Sequence, residues 1–144
     1  MAGSYSLPII NRLKKMCFRW EEFFELARDL SIKCTGSHKY TQEAVRRTAI
    51  SRAYYAVYRS TRNYAEKNLN FRPKYSGKDH RNLIKHLIKL GKEWAEVGTN
   101  IDRLKVWRRD CDYEDVIADD LEAMHRDAID IAENILNHLR KSFP

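Results

Sequence analysis

The sequence predicts an all-α fold, an up-and-down four-helix bundle with one short additional helix. Apolar residues recur every three to four positions over long stretches, which is the period of an amphipathic helix. Only five Gly and three Pro interrupt the 144 residues, fewer than a turn-rich β fold uses. The length and a hydrophobic content of 43% fit one domain, residues 1–144, with its own core.

The N-terminal half of the chain predicts two long helices. The first spans about Pro8–Ser31, because its apolar residues alternate in steps of four and three and Pro suits the first helical turn. A loop follows over Cys34–Tyr40. The second helix is expected over about Thr41–Asn68. Its segment Ala53–Tyr58 has β propensity, but it lies inside a long helical pattern without turn signals beside it.

A basic loop, Asn70–Lys78, separates the second helix from the third. Asp79 is predicted to be the N-cap of the third helix, which continues to Val97. The apolar face of this helix is unusually wide, which suits a helix packed on both its own core and a partner. The residues that form this face are Leu83, Ile84, Leu87 and Ile88.

The C-terminal part predicts a chain break and two further helices. Gly98–Asn100 is expected to end the third helix, because it joins a glycine to two polar residues. A short fourth helix then covers about Ile101–Cys111. The last helix spans about Tyr113–Lys141 and carries its apolar residues on one face.

Charge is distributed unevenly along the chain. The net charge is +7, yet residues 38–92 contain fourteen Lys and Arg residues against three acids. The chain from Cys111 onward is acidic. A basic middle of this kind is typical of a face that binds a polyanion, although a solvated basic surface gives the same pattern.

Several classes of protein are disfavoured by what the sequence lacks. It has no apolar run long enough to cross a bilayer, and Met1–Ser6 does not look like the start of a signal peptide. The three scattered cysteines, Cys17, Cys34 and Cys111, form no CxxC pair and predict reduced thiols in a cytoplasmic protein. A single ExxH step, Glu122 to His125, lacks the second step of a di-iron bundle, so neither a metal nor another cofactor is expected.

The segment Arg81-Asn82-Leu83-Ile84-Lys85-His86 contains the residues best suited to chemistry. An Arg, then a polar residue, then a His five positions after the Arg resembles the ribonuclease signature of the HEPN superfamily. This resemblance implies that Arg81, Asn82 and His86 are catalytic. The preceding loop and the same helix would bind RNA. The residues expected to contact RNA are Arg72, Lys74, Lys78, His80 and Lys85.

A second resemblance covers most of the chain. Ala49–Tyr58 contains SRAYYA and is similar to the central helix of a large prokaryotic HEPN family. Trp20–Glu22 lies where that family has its first helix, and Arg108–Tyr113 lies where it has an R..ADY segment, with Cys111 in place of the usual Ala. The family implies a helical bundle, a homodimer, and a toxin or phage-defence role with an antitoxin partner. Ile88 replaces a Tyr that some antitoxins modify, which puts that form of control in doubt.

The chemistry of these side chains agrees with RNA cleavage without a metal. The 2′-OH of RNA can attack the adjacent phosphate when one group moves protons and another stabilises negative charge. His suits the first task near neutral pH, and the planar guanidinium of Arg suits the second. Arg81 and His86 lie about 140° apart on a helix, so two copies of the helix would form one site more easily than one copy.

Structural roles compete with these assignments. His86 could be a partly buried histidine with a backbone partner, and the chain could be a non-catalytic HEPN module that binds nucleic acid or protein. Tyr54, Tyr55 and Tyr58 are expected to be core and interface aromatics. Arg52 is expected to hold the bundle together through an acid on the last helix.

Overall fold

A computed structural model of the chain describes residues 18–33 and 41–142. Within these residues the chain forms five helices and no strand, which confirms the all-α helical bundle. The helices are α1 (Glu21–Lys33), α2 (Gln42–Asn68), α3 (Asp79–Leu90), α4 (Lys92–Tyr113) and α5 (Leu121–Lys141). Helix α2 packs against α1, α4 and α5, while α3 packs against α4. No helix in this part of the chain is long and apolar enough to cross a membrane.

Helix α2 is the centre of the bundle and matches its predicted bounds. Thr41 is the N-cap, and its Oγ1 accepts a hydrogen bond of 3.1 Å from the backbone N–H of Ala44. Tyr54 and Tyr58 belong to the core, which confirms their predicted burial, whereas Tyr55 is only half-buried. Because neighbours surround α2 on three sides, it contributes more buried residues than any other described helix.

Helix α1 begins later than predicted. Phe18, Arg19 and Trp20 are not helical, and the part of the predicted helix before Phe18 lies outside the described residues, as does the predicted loop Cys34–Tyr40. The rings of Phe18, Trp20 and Phe23 pack together with centroids 5.0–5.5 Å apart. This cluster holds the chain in a turn, and the acidic first turn that follows favours helix initiation.

The chain breaks at Gly91 and not at the predicted Gly98–Asn100. Gly91 joins α3 to α4 with φ 75° and ψ −176°, a combination that almost only glycine adopts. Gly98 lies inside α4, where a Cβ would come within 3.2 Å of Leu87, Ile88 and the Ile84 carbonyl. Its missing side chain lets α4 pack closely against α3. The predicted short helix over Ile101–Cys111 is therefore wrong, and the short helix is α3.

The last helix also begins later than predicted. It starts at Leu121, because Asp120 is its N-cap and accepts hydrogen bonds from the backbone N–H groups of Glu122 and Ala123. The guanidinium of Arg47 on α2 donates to three backbone carbonyls where α4 ends and the following loop begins. These belong to Cys111, Glu114 and Asp115, at 3.2, 2.6 and 3.2 Å. These hydrogen bonds satisfy carbonyl groups at the end of α4 and in the following loop, where no further helical turn supplies backbone N–H donors.

Asp79 does not cap α3, contrary to prediction. It is the first residue of the helix and is 1% exposed, and its carboxylate points back to the preceding loop. Its oxygens accept hydrogen bonds from the backbone N–H groups of Lys74 at 2.9 Å and Tyr75 at 2.8 Å. The carboxylate therefore orders the basic loop, which makes two of its donors unavailable to a ligand.

Candidate nucleic-acid interface

A row of four cations runs along the exposed face of α3. Lys78, Arg81, Lys85 and Lys89 follow one another at steps of three, four and four, so a helical turn of 3.6 residues places them on one face. All four side chains are exposed, and in the described part of the chain none has a carboxylate within 4 Å. We call these residues the cation row. Arg72 and Lys74 are exposed in the loop that leads into it.

Asn82 and His86 lie beside the cation row and are half-buried. They are four residues apart, so they share a face of α3. The Nε2 atom of His86 lies 2.7 Å from the backbone carbonyl oxygen of Leu69, and the ring packs 5.5 Å from that of Phe71. Because a carbonyl only accepts, Nε2 must donate. In the neutral ring Nδ1 then carries the lone pair and can accept a proton.

Arg81 and His86 both lie on α3, but their side chains differ in exposure and in hydrogen bonding. Arg81 is exposed within the cation row, while His86 is anchored at its edge by the Leu69 carbonyl. The backbone partner considered for His86 from the sequence is thus present. It fixes the tautomer and orientation of the ring.

His80 lies apart from the other residues expected to contact RNA. Its Nδ1 is hydrogen-bonded to the Tyr54 hydroxyl, and its ring stacks on Tyr58 with centroids 3.9 Å apart. Burial, and after it the positive charges of Arg108 and Lys105, together lower the pKa of His80 to about 4. His80 is therefore neutral at pH 7 and offers no positive charge to a phosphate.

The stability of the fold is expected to fall when the pH is lowered from about 6.5 to about 4. In the unfolded chain His80 takes up a proton with its ordinary pKa near 6.5, whereas the folded protein resists protonation down to about 4. Between these values the unfolded state binds more protons, so the free energy of unfolding decreases as the pH falls. Urea denaturation at several pH values measures this slope. His80→Gln should reduce it, and an equal slope in that variant would contradict the assignment.

A cavity of about 760 Å³ opens between α1, α2 and the loop before α3. Arg52, Tyr55, Arg59 and Arg62 line it from α2, at steps of three to four residues along one helix face. The other lining residues are Trp20, Phe23, Tyr58, Tyr75, Ser76, Gly77, Asp79 and His80. This site was not predicted from the sequence. Helical spacing relates only the α2 residues to one another, whereas the other lining residues come from separate segments of the chain.

Aromatic rings hold the three arginines of the cavity. The guanidinium carbon of Arg59 lies 4.2 Å from the centre of the Trp20 ring, that of Arg52 lies 4.7 Å from Phe23, and that of Arg62 lies 5.4 Å from Tyr75. Cation–π contact orients a guanidinium without neutralising it. The predicted ion pair between Arg52 and an acid on the last helix is wrong, because no carboxylate of the described part of α5 lies within 4 Å of the Arg52 guanidinium.

In the described part of the chain, no three His, Cys, Asp or Glu residues come close enough together to hold a metal ion. Cys111 is a buried free thiol, and burial raises its pKa to about 11.

Comparisons with family models, with curated proteins and with solved structures found no significant match to this chain.

Proposed function

We propose that this protein binds RNA along the cation row of α3 and cleaves it without a metal ion at Arg81 and His86. The observation that carries the proposal is the row itself, four exposed cations on one helix face with no carboxylate partner among the described residues. The row is about 16 Å long, because Lys89 follows Lys78 by eleven helical steps with a rise of about 1.5 Å each. That length spans several phosphates of one strand.

In the proposed reaction His86 acts as the general base and Arg81 stabilises the phosphate. Nδ1 of His86 takes the proton of the 2′-OH, the 2′ oxygen bonds to phosphorus, and the bond from phosphorus to the 5′ oxygen breaks. The departing 5′ oxygen takes a proton from solvent, which leaves a cyclic phosphate and a 5′-OH end. The guanidinium of Arg81 stabilises the charge that builds on the phosphate, and Asn82 donates a hydrogen bond to it.

A homodimer belongs to the same proposal. Most of the apolar face of α3 is used inside the chain, since Leu83, Ile84 and Leu87 are buried, but Ile88 is 48% exposed and Leu90 is 45% exposed. In the proposed homodimer, these two side chains are the exposed apolar residues of α3 that contact a second copy of the chain. The cytoplasmic location, the toxin or phage-defence role and the antitoxin partner expected from the HEPN resemblance are part of this proposal too.

The second candidate is a non-catalytic module that binds RNA or a partner protein. The hydrogen bond between His86 and the Leu69 carbonyl favours it, because this bond ties the imidazole to the end of α2 and gives it a structural role. The two candidates agree on the cation row and differ only in whether the bound RNA is cut.

Binding to single-stranded RNA is expected to weaken steeply with salt. Each phosphate contact releases counterions, so removing one cation should lower the slope of log affinity against log salt by about 0.7. We would measure this slope by fluorescence anisotropy for the unaltered protein and for Lys85→Gln with Lys89→Gln, in EDTA. Denaturing gels of the same samples report cleavage, whose presence favours the nuclease and whose absence favours the module.

The matched control is Arg126→Gln on α5. It also removes exposed positive charge, but Arg126 already has the Asp127 carboxylate 3.9 Å away and lies on another helix. An equal loss of slope in this control, or binding that does not respond to salt, would show that the cation row is not the RNA site.

A further inference from the structure

We infer that Asn70 is a positioning residue for His86, because the left-handed backbone turn at Asn70 aims the Leu69 carbonyl and the Phe71 ring at the imidazole. Asn70 lies between these two residues in the chain, and it is not among the residues that the HEPN resemblance assigns to the site. The inference rests on the proposed function, since the position of the ring affects cleavage only if His86 is the general base.

The backbone of Asn70 has a conformation that few side chains tolerate. Its φ is 56°, and only two other non-glycine residues in the described part of the chain, Tyr75 and Lys92, have a positive φ. This region is costly for residues with a Cβ, and asparagine enters it more readily than most of them. Residues held in such a conformation are concentrated where a site needs a particular arrangement of neighbouring groups.

The turn at Asn70 follows the end of α2 and folds the chain back over it. The backbone N–H of Leu69 donates to the Ala65 carbonyl at 2.9 Å, and the backbone N–H of Phe71 donates to the same oxygen at 3.1 Å. One carbonyl near the end of α2 therefore fixes the residues on both sides of Asn70. The Leu69 carbonyl lies beyond the last residue of the helix, where it can accept a hydrogen bond from a side chain.

Both neighbours of Asn70 restrain His86. Nε2 of His86 lies 2.7 Å from the Leu69 carbonyl oxygen, and the centre of the imidazole lies 5.5 Å from that of the Phe71 ring. Phe71 is 5% exposed, so its ring is held in the core. A hydrogen bond at one edge and a fixed ring beside the imidazole limit its rotation and select its tautomer, which leaves Nδ1 to accept the proton.

Asn70 contributes through its backbone conformation. The residue is exposed, and glycine adopts a positive φ without strain, so glycine should replace it. A β-branched residue should not, because it strongly disfavours this region. Valine would therefore shift the turn and move the Leu69 carbonyl and the Phe71 ring away from His86. A displacement of about 1 Å at a reacting group can cost about a hundredfold in rate.

The test compares Asn70→Val with Asn70→Gly in the full chain. We expect kcat for EDTA-resistant RNA cleavage to fall about ten- to hundredfold in Asn70→Val and to stay within about threefold of the unaltered chain in Asn70→Gly. KM for RNA should change little in either variant, because the cation row is intact. A loss that appeared only as a higher KM would assign Asn70 to RNA binding and would overturn the inference.

A second readout follows the imidazole in the absence of RNA. An N–H held on a carbonyl exchanges slowly with water, so the unaltered protein should show an Nε2–H resonance of His86 in ¹⁵N-edited NMR spectra. The resonance should persist in Asn70→Gly and disappear in Asn70→Val. If the unaltered chain cleaves no RNA, the proposed function fails, and this resonance still decides whether Asn70 positions the ring.

The matched control is Lys92→Val. Lys92 also has a positive φ, of 51°, but it lies at the corner between α3 and α4. This control should keep both kcat and the His86 resonance. If Asn70→Val does not fold, Asn70→Ala replaces it, because alanine is less strained at this φ than a β-branched residue.

Three results would overturn the inference. One is an Nε2–H of His86 in the unaltered protein that exchanges as fast as that of a free imidazole. Another is a folded Asn70→Val that keeps both the resonance and kcat. The third is an equal loss in Lys92→Val, which would show that any strained turn in the chain has the same effect.

Discussion

His86→Gln is expected to reduce EDTA-resistant RNA cleavage by about 10²–10⁴-fold, the usual contribution of one positioned proton-transfer group. The glutamine amide can still donate to the Leu69 carbonyl that accepts from His86 at 2.7 Å, so the fold should be retained. It cannot accept the 2′-OH proton, so the chemistry is lost. RNA affinity should change little, because the cation row is intact. Gel assays of cleavage and anisotropy measurements of binding separate the two properties.

The matched control for this variant is His125→Gln. His125 is also half-buried and hydrogen-bonded through Nε2, in its case to the Ser31 hydroxyl at 2.7 Å, but it lies on α5 away from the cation row. The His125→Gln variant should cleave RNA at the rate of the unaltered chain. Undiminished cleavage by a folded His86→Gln would exclude His86 as the base, and loss of cleavage in both variants would point to a folding defect.

Asp79→Ala is expected to lower the free energy of unfolding by about 3 kcal/mol. The carboxylate accepts two backbone hydrogen bonds, from Lys74 and Tyr75, and each bond to a buried charge contributes about 1.5–3 kcal/mol. Without the carboxylate these N–H groups lose their partners and the basic loop loses its anchor on α3. Urea denaturation followed by circular dichroism measures the change.

Two companion variants locate the effect of Asp79. Asp79→Asn keeps one acceptor oxygen and should lose only part of the stability. Asp102→Ala removes an exposed acid from α4 and should stay within about 0.5 kcal/mol of the unaltered chain. A loss of less than 0.5 kcal/mol in Asp79→Ala would mean that the loop is held by other contacts.

Local sequence was a good guide where a local interaction sets the boundary. The start of α2 could be predicted because Thr41 bonds to Ala44 three residues away, and the burial of Tyr54 and Tyr58 could be predicted from helical spacing. Asp79 shows the limit of this reasoning. A carboxylate before an apolar helical pattern is typical of an N-cap, yet the partners of this one lie in the preceding loop, and nothing local distinguishes the two choices.

The two glycines near the end of α3 make the same point. A glycine that turns the chain and a glycine that lets two helices approach closely cannot be told apart from the sequence, because both lack a side chain. Gly91 turns the chain with a positive φ, while Gly98 stays helical and lets α4 approach α3. Which glycine does which depends on the distance between two helices, and no short window of sequence contains that distance.

The sequence by itself determined the all-α class, the central helix and the basic character of the middle segment, since period, capping and charge are local properties. It also identified Arg81 and His86 as the pair to test. Only the tertiary structure decided that His86 is anchored to Leu69, that His80 turns inward, and that three arginines share one aromatic cavity. These arrangements join residues from different helices, so their physical cause is packing between segments and not the preference of any one of them.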